Sequence, residues 1–410
     1  MTSTTVQPGL AQDLAGFRQR IRELLDGFDD DTLAWWEASG HVPREAVAAL
    51  AGGGIFSERW EHGAERGLPY LIALSEEISR RNGGLAIAAM GHSEMFIGGL
   101  TWLGDNAAHR ALLADALAGR AVGCFSATEP QGGSNLADIR TSAARGAQGW
   151  CLRGRKRYVS NVGQASHVLV LAKMEDARHA SDQGIFVVPL EHPGVRVDGF
   201  IRMVGARACD VGQITIDAEL PADALLGQAG LGLAYASHLL SFERISICAQ
   251  LLAGAEFALR LAASYARQRR VGGARIIDRQ VIRHRLAGGQ ADLWNLQSRL
   301  RELTDLAQGQ ERMPAREIAA LRLVAGETAG QIVDTCMQVL GARGCSETFP
   351  LERLWRDSRL ARLGGGTDEV LADLVASAID RVDPVYDALL SAYLCADQLE
   401  PPPAGDDLLP

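Results

Sequence analysis

The hydrophobic period changes twice along this chain, and that alternation constrains the fold more than any single motif. From about Leu10 to Leu117 the apolar residues recur at helical spacing, with Leu14, Phe17, Ile21, Leu24 and Leu25 forming one buried face. After Arg120 the runs become short, apolar or β-branched, and bounded by turn residues: Gly149–Leu152, Val168–Ala172, Ile185–Pro189 and Gln213–Asp217. No long helical pattern separates them, which predicts an antiparallel β domain rather than βαβ units. From Leu233 to Asp380 the helical period returns in four long segments, as a four-helix bundle requires. The predicted class is therefore α+β multidomain. It comprises an N-terminal α-helical domain (1–121), a central antiparallel β domain (122–231) and a C-terminal four-helix bundle (232–382). An extension (383–410) is expected to be partly disordered, its Pro401-Pro402-Pro403 and Asp406-Asp407 tail unstructured.

Composition narrows the function classes. Of 410 residues, 47% are hydrophobic and 22% charged, with a formal charge of −9, which gives no general support to a nucleic-acid or anionic-membrane role. Seven scattered cysteines without a Cys-x-x-Cys pair point to a reduced, cytoplasmic protein. Met1–Leu10 lacks the basic and apolar regions of a signal peptide, and no uninterrupted apolar run of about 18 residues predicts a membrane span.

One carboxylate stands out. In Leu239–Ile247, Glu243 is set into an apolar helical surface whose neighbours at three and four residues are Leu239, Leu240, Ser246 and Ile247. None of these neutralises it, which makes Glu243 a candidate for a raised pKa, and an acid tuned toward neutrality suits proton abstraction from carbon. An ordinary ion pair with Arg244 or a distant residue is the competing local reading. His92 lies in another apolar run and reads as hydrogen-bonded packing.

Four stretches carry further chemistry. Thr128–Asn135 is a loop of small and hydroxyl residues that lets backbone amides approach an anion or a flat cofactor. In Arg157–Gly163, Tyr158 and Ser160 stand two apart, so a regular strand would place ring and hydroxyl on one face. Arg267–Arg285 holds seven arginines against Asp278, a solvated face or a phosphate clamp. Gly364-Gly365-Gly366 precedes a predicted helix start, with Thr367 as cap and Glu369 favoured by the helix dipole. Gly230-Leu231-Gly232 lacks the frame of a dinucleotide loop and reads as a break before a helix.

In this order and spacing the stretches resemble the acyl-CoA dehydrogenase family over residues 10 to 382. The match includes Thr128-Glu129-Pro130 with Gly133-Ser134, the Tyr158–Gly163 loop, Tyr265-Ala266 with Arg269 and Gln280, Pro350–Leu354 with Arg356-Asp357, and Gly366–Glu369. The resemblance implies the three-part fold above, a homo-oligomer (dimer or tetramer) and FAD, with no metal. It implies that Phe125, Ala127, Thr128, Gly133 and Ser134 run along the flavin and its pyrophosphate, with Tyr158 and Ser160 beside the ring system. Thr367 and Glu369 match positions near the flavin in the closing loop, and Arg269, Gln280 and Gln338 match positions that hold the FAD of a neighbouring subunit. Arg244, Ser241 and Ser134 match positions along the substrate's thioester arm.

Many members of that family carry a glutamate where this chain has Gly365. A smaller branch, resembling the isovaleryl- and long-chain-type enzymes, has a small residue there and a glutamate before the bundle arginine, where Glu243 stands. The implied activity is α,β-dehydrogenation of an acyl-CoA or acyl-carrier-protein thioester: Glu243 takes the α proton, flavin N5 the β hydride, and the Gly365 amide polarises the thioester oxygen. The implied electron acceptor is an electron-transfer flavoprotein or oxygen. A flavin-dependent monooxygenase and a DNA-associated flavoprotein of the same fold are the alternatives. Departures from the family pattern fall at Gln131, Asn135, Gly272 and Ala342, and at Ser241, where some members place an aspartate that contacts the substrate arm.

Overall fold

A computed structural model describes residues 8–308, 313–380 and 383–397. The readings made above for Met1–Leu10 fall largely, and those for the Pro401–Asp407 tail wholly, outside these residues. The chain begins with α1 (Pro8–Asp26), α2 (Asp30–Ser39), α3 (Arg44–Gly52), α4 (Ile55–Glu61), α5 (Leu68–Arg81), α6 (Gly83–Met90), α7 (Gly98–Leu103) and α8 (Ala107–Leu117). Phe17, Ile21 and Leu25 of α1 are buried, as their spacing requires. Asp29 caps α2 by accepting the Thr32 amide at 2.8 Å, and Asn82 caps α6 by accepting that of Leu85 at 2.9 Å. Between α6 and α7 the helix widens to π over Gly91–Ile97, with His92, Ser93 and Glu94 all buried. His92 is packing: the Gly123 amide donates to Nδ1, Nε2 donates to Ala116 O, and burial lowers its pKa to about 4.

The β domain contains β1 (Gly123–Ser126), β2 (Ser142–Arg145), β3 (Gly149–Ser160), β4 (His167–Met174), β5 (Gln183–Pro189), β6 (Val195–Phe200), β7 (Val211–Pro221) and β8 (Leu225–Gly230). The order is β6-β7-β3-β2-β4-β5-β8, with β1 also on β4. The sheet is mostly antiparallel, as expected, but β1 and β2 both run parallel to β4. Gly123–Ser126 pairs with His167–Val170 and Ser142-Ala143 with Lys173-Met174, so two short strands share one partner. The chain between them, including Thr128–Asn135, is thereby extruded from the sheet. Leu169 and Leu171 of β4 pack toward the helical domain and Val168, Val170 and Ala172 into the β core, so both faces are buried.

The bundle starts with α9 (Gly232–Gln268), a two-residue hairpin pair β9 (Arg270–Val271) and β10 (Ala274–Arg275), then α10 (Gln280–Gln308) and α11 (Ala315–Leu340). The fourth predicted segment is broken into α12 (Leu351–Ala361) and α13 (Asp368–Ile379) by the glycine turn. The positive φ of Gly365 and Gly366 carries the chain through that turn. Pro384–Asp397, inside the extension expected to be partly disordered, forms α14. Helix α9 is apolar enough to pass for a membrane span, with mean hydropathy 1.4, but 72% of that window is buried within the protein, the mark of a core helix.

Candidate active site

Helix α9 crosses from one core to another at the residue of interest. Leu239 packs in the core shared by the helical domain and sheet, Phe242 in the bundle core, and Glu243 stands at the crossing. Its side chain keeps some solvent access, yet burial is the strongest influence on its carboxyl and raises its pKa above the usual 4.5. Densely surrounded by protein yet in partial contact with solvent, the carboxyl resists ionisation without being sealed off. The charges of Arg244 and Arg322 and the Gly365 amide oppose the shift without reversing it.

Neither arginine pairs with Glu243. Arg244 donates Nε to Gly365 O at 2.8 Å. Arg322, fully buried on α11, donates to Gly364 O at 3.1 Å and to Ala361 O, and meets Asp368 at 3.5 Å. The two guanidiniums thus tie down the carbonyls of the turn, while Thr367 caps α13 by accepting the Val370 amide at 3.4 Å. Glu243 Oε1 lies 3.8 Å from where a side chain at Gly364 would begin. A side chain at Gly365 would begin 3.0 Å from Arg244 Cγ on a backbone with φ +67°, so in this turn any other residue carries backbone strain and makes Arg244 shift. Arg322 escaped the sequence reading; its signal was a lone arginine in the apolar run Ala319–Leu340.

The extruded loop meets the end of β3. The Arg157 amide donates to Thr128 O at 2.9 Å, and buried Lys156 donates Nζ to Ala127 O at 3.0 Å and to Glu129 Oε1 at 2.9 Å. Phe125, Ala127, Thr128 and Gly133 are half-buried and Ser134 exposed. A side chain at Gly133 would begin 2.8 Å from that of Thr128, so glycine lets the loop fold over it. Tyr158 is not on a regular strand: a bulge separates Arg157 from Val159, and Tyr158 takes φ +58°. The two-residue spacing therefore does not by itself align Tyr158 with half-buried Ser160. The bulge instead leaves the Tyr158 ring 49% exposed, where a non-glycine residue stores strain to present an aromatic face. An exposed ring beside a glycine-closed loop fits a flat anionic cofactor such as FAD, which Thr128, Ser134, Tyr158 and Ser160 would hold.

Other expected positions lie elsewhere. Ser241 is buried and donates to Ser237 O at 3.3 Å, back into its own helix. Glu369 is exposed in the first turn of α13, its carboxyl lowered by its own amide and by Thr367. The end of α9 lies roughly 38 Å along the helix from Glu243, and Arg269, Gln280 and Gln338 are exposed at that end of the bundle. There Arg343 donates to the Tyr265 hydroxyl at 3.0 Å. Gly272 and Gly273 both take positive φ, which explains the glycine at 272: a two-residue hairpin loop demands it. Arg275 of the arginine run pairs with Asp278 at 2.8 Å. Asp357 accepts the Ala206 amide at 2.6 Å and is raised to about 6 by burial, so the Arg356-Asp357 motif clasps bundle to sheet.

Comparison with known proteins bears on the whole chain. Family profiles for the acyl-CoA dehydrogenase N-terminal, middle and C-terminal domains match residues 12–120, 124–218 and 230–379. An acyl-[acyl-carrier-protein] dehydrogenase MbtN from Mycolicibacterium paratuberculosis is 35% identical over 87% of this chain and 92% of its own. The mitochondrial short-chain specific acyl-CoA dehydrogenase of Bos taurus is 31% identical over 75% of each. Butyryl-CoA dehydrogenase from Megasphaera elsdenii shares the fold, with TM-score 0.86 at 22% identity, over 93% of this chain and 100% of that one. The chain belongs to the acyl-CoA dehydrogenase family, whose members are FAD-dependent oxidoreductases acting on CH–CH bonds.

Proposed function

We propose that the protein removes hydrogen from Cα and Cβ of an acyl thioester carried by CoA or an acyl-carrier protein, with Glu243 as the base. The observation that carries this reading is a desolvated carboxylate with no ion-pair partner among the described residues, beside a glycine turn that carries no side chain of its own. Desolvation strengthens Glu243 as a proton acceptor for carbon. The Gly365 amide, on a turn held by Arg244 and Arg322, is the donor toward charge developing on the thioester oxygen. FAD, when bound, supplies the hydride acceptor. The names of the relatives support thioesters of both carriers. An electron-transfer flavoprotein or oxygen then reoxidises the enzyme.

The distance of Arg269, Gln280 and Gln338 from Glu243 favours a homo-oligomer in which they serve a neighbouring subunit. The test is anaerobic mixing of FAD-loaded protein with acyl-CoA and acyl-carrier-protein thioesters. Bleaching of the oxidised flavin band is expected. No bleaching by any thioester, with oxygen uptake driven by a reductant, would move the protein to the monooxygenase reading.

A further inference from the structure

A cleft of about 490 Å³ opens on the β domain beside the extruded loop. Glu129 and Gln131 wall it from the loop, Arg140 and Thr141 from the approach to β2, and Gly154 and Arg155 from β3. None of the residues assigned above to FAD lines it. Arg140 and Arg155 are exposed, and among the described residues neither guanidinium has a hydrogen bond or ion pair. The one acid of the cleft is already satisfied. Glu129 pairs with Lys156 at 2.9 Å, and its oxygens accept the amides of Arg140 at 2.7 Å and Thr141 at 2.8 Å and the Gln131 side chain at 2.6 Å. With Glu129 and Lys156 cancelling, two uncompensated positive charges remain at the lip. Glycine at 154 lets Thr141 pack directly on β3 as the closed floor of the cleft, and the buried Thr141 hydroxyl has no hydrogen-bond partner among the described residues.

We propose that this cleft binds a phosphate ester. Two free guanidinium forks suit phosphate oxygens, and the volume suits a phosphorylated small molecule better than a bare ion. The idea rests on the acyl-thioester reading for its biological source, the phosphorylated pantetheine arm of the carrier. Gln131 is three residues from Ser134, so the cleft wall lies within roughly 11 Å of the expected thioester path.

The experiment is calorimetric titration of the FAD-loaded protein with adenosine 3′,5′-bisphosphate, pantetheine 4′-phosphate and unphosphorylated pantetheine. The phosphorylated probes are expected to bind and pantetheine not to bind. Arg140→Gln and Arg155→Gln, both at exposed positions, should each weaken binding by on the order of tenfold, while Arg155→Lys keeps the charge and part of the affinity. Tighter binding of the nucleotide would assign the cleft to CoA, and of pantetheine phosphate to a carrier protein. The proposal fails if neither phosphate binds the FAD-loaded protein, or if the variant carrying both Arg140→Gln and Arg155→Gln binds like the parent. Phosphate binding by a protein whose flavin no thioester bleaches would leave the site standing and strike the thioester reading alone.

Discussion

Two glutamates in the interior of this protein sit in similar apolar helices and have opposite surroundings. Glu94, in the π-helical segment, meets Arg59 at 2.8 Å with both side chains fully buried, and accepts the Ser93 hydroxyl at 2.7 Å. Glu243 has an arginine next to it in sequence, yet that arginine and Arg322 are engaged with the glycine turn. Sequence proximity points the wrong way in both cases: the adjacent arginine does not pair, and the one 35 residues away does. A buried carboxylate with its partner is structure, while one whose neighbours are held elsewhere keeps its reactivity.

The comparison breaks or sharpens under substitution. Glu243→Gln is expected to slow anaerobic flavin reduction by a thioester by about 10²–10⁴-fold, the usual worth of a positioned base, with FAD content unchanged. Rapid mixing reads this directly, and a parent-like rate would return Glu243 to a structural role. Glu94→Gln leaves Arg59 buried without its counter-ion and should cost about 3–5 kcal/mol, seen as a lower urea midpoint. A midpoint unchanged from the parent would erase the contrast between the two sites. Gly365→Ala places a side chain at φ +67° against Arg244, a strain of about 1–2 kcal/mol in the same assay. Thr367→Ala removes the cap of α13 for about 1 kcal/mol.

The smallest effect concerns stability and pH. Because the folded-state pKa of Glu243 is raised above 4.5, the folded protein binds more protons than the unfolded chain between 4.5 and that raised value. The group's contribution to stability therefore falls as pH rises through this window. Glu243→Gln escapes the penalty, so its thermal midpoint relative to the parent should rise with pH. A relative midpoint that falls with pH would show a carboxylate stabilised as an ion.

Much of the architecture was readable from periodicity, because helices and strands that bury one or both faces leave 3.6- and 2-residue signatures. Phe17, Ile21 and Leu25 lie where their spacing put them, and so do the strands around Val168 and Ile185. What escaped was set by distant partners. β1 and β2 are four residues each and exist because β4 offers one edge to both. The bulge at Tyr158 depends on β7 running alongside β3, and the role of Arg322 on a turn some 40 residues later in the chain, at Ala361 and Gly364. Glu243 itself was visible as a charge in an apolar helix. Its lack of a partner was not, since that depends on where Arg244 and Arg322 point.

The most direct test of the central claim is the pH dependence of single-turnover flavin reduction by a saturating thioester. If the partnerless carboxylate on α9 takes the proton, the parent rate rises with pH through a midpoint above 4.5, and the slow residual rate of Glu243→Gln lacks that limb. A parent rate flat across that range, or the same limb persisting in the variant, would contradict it.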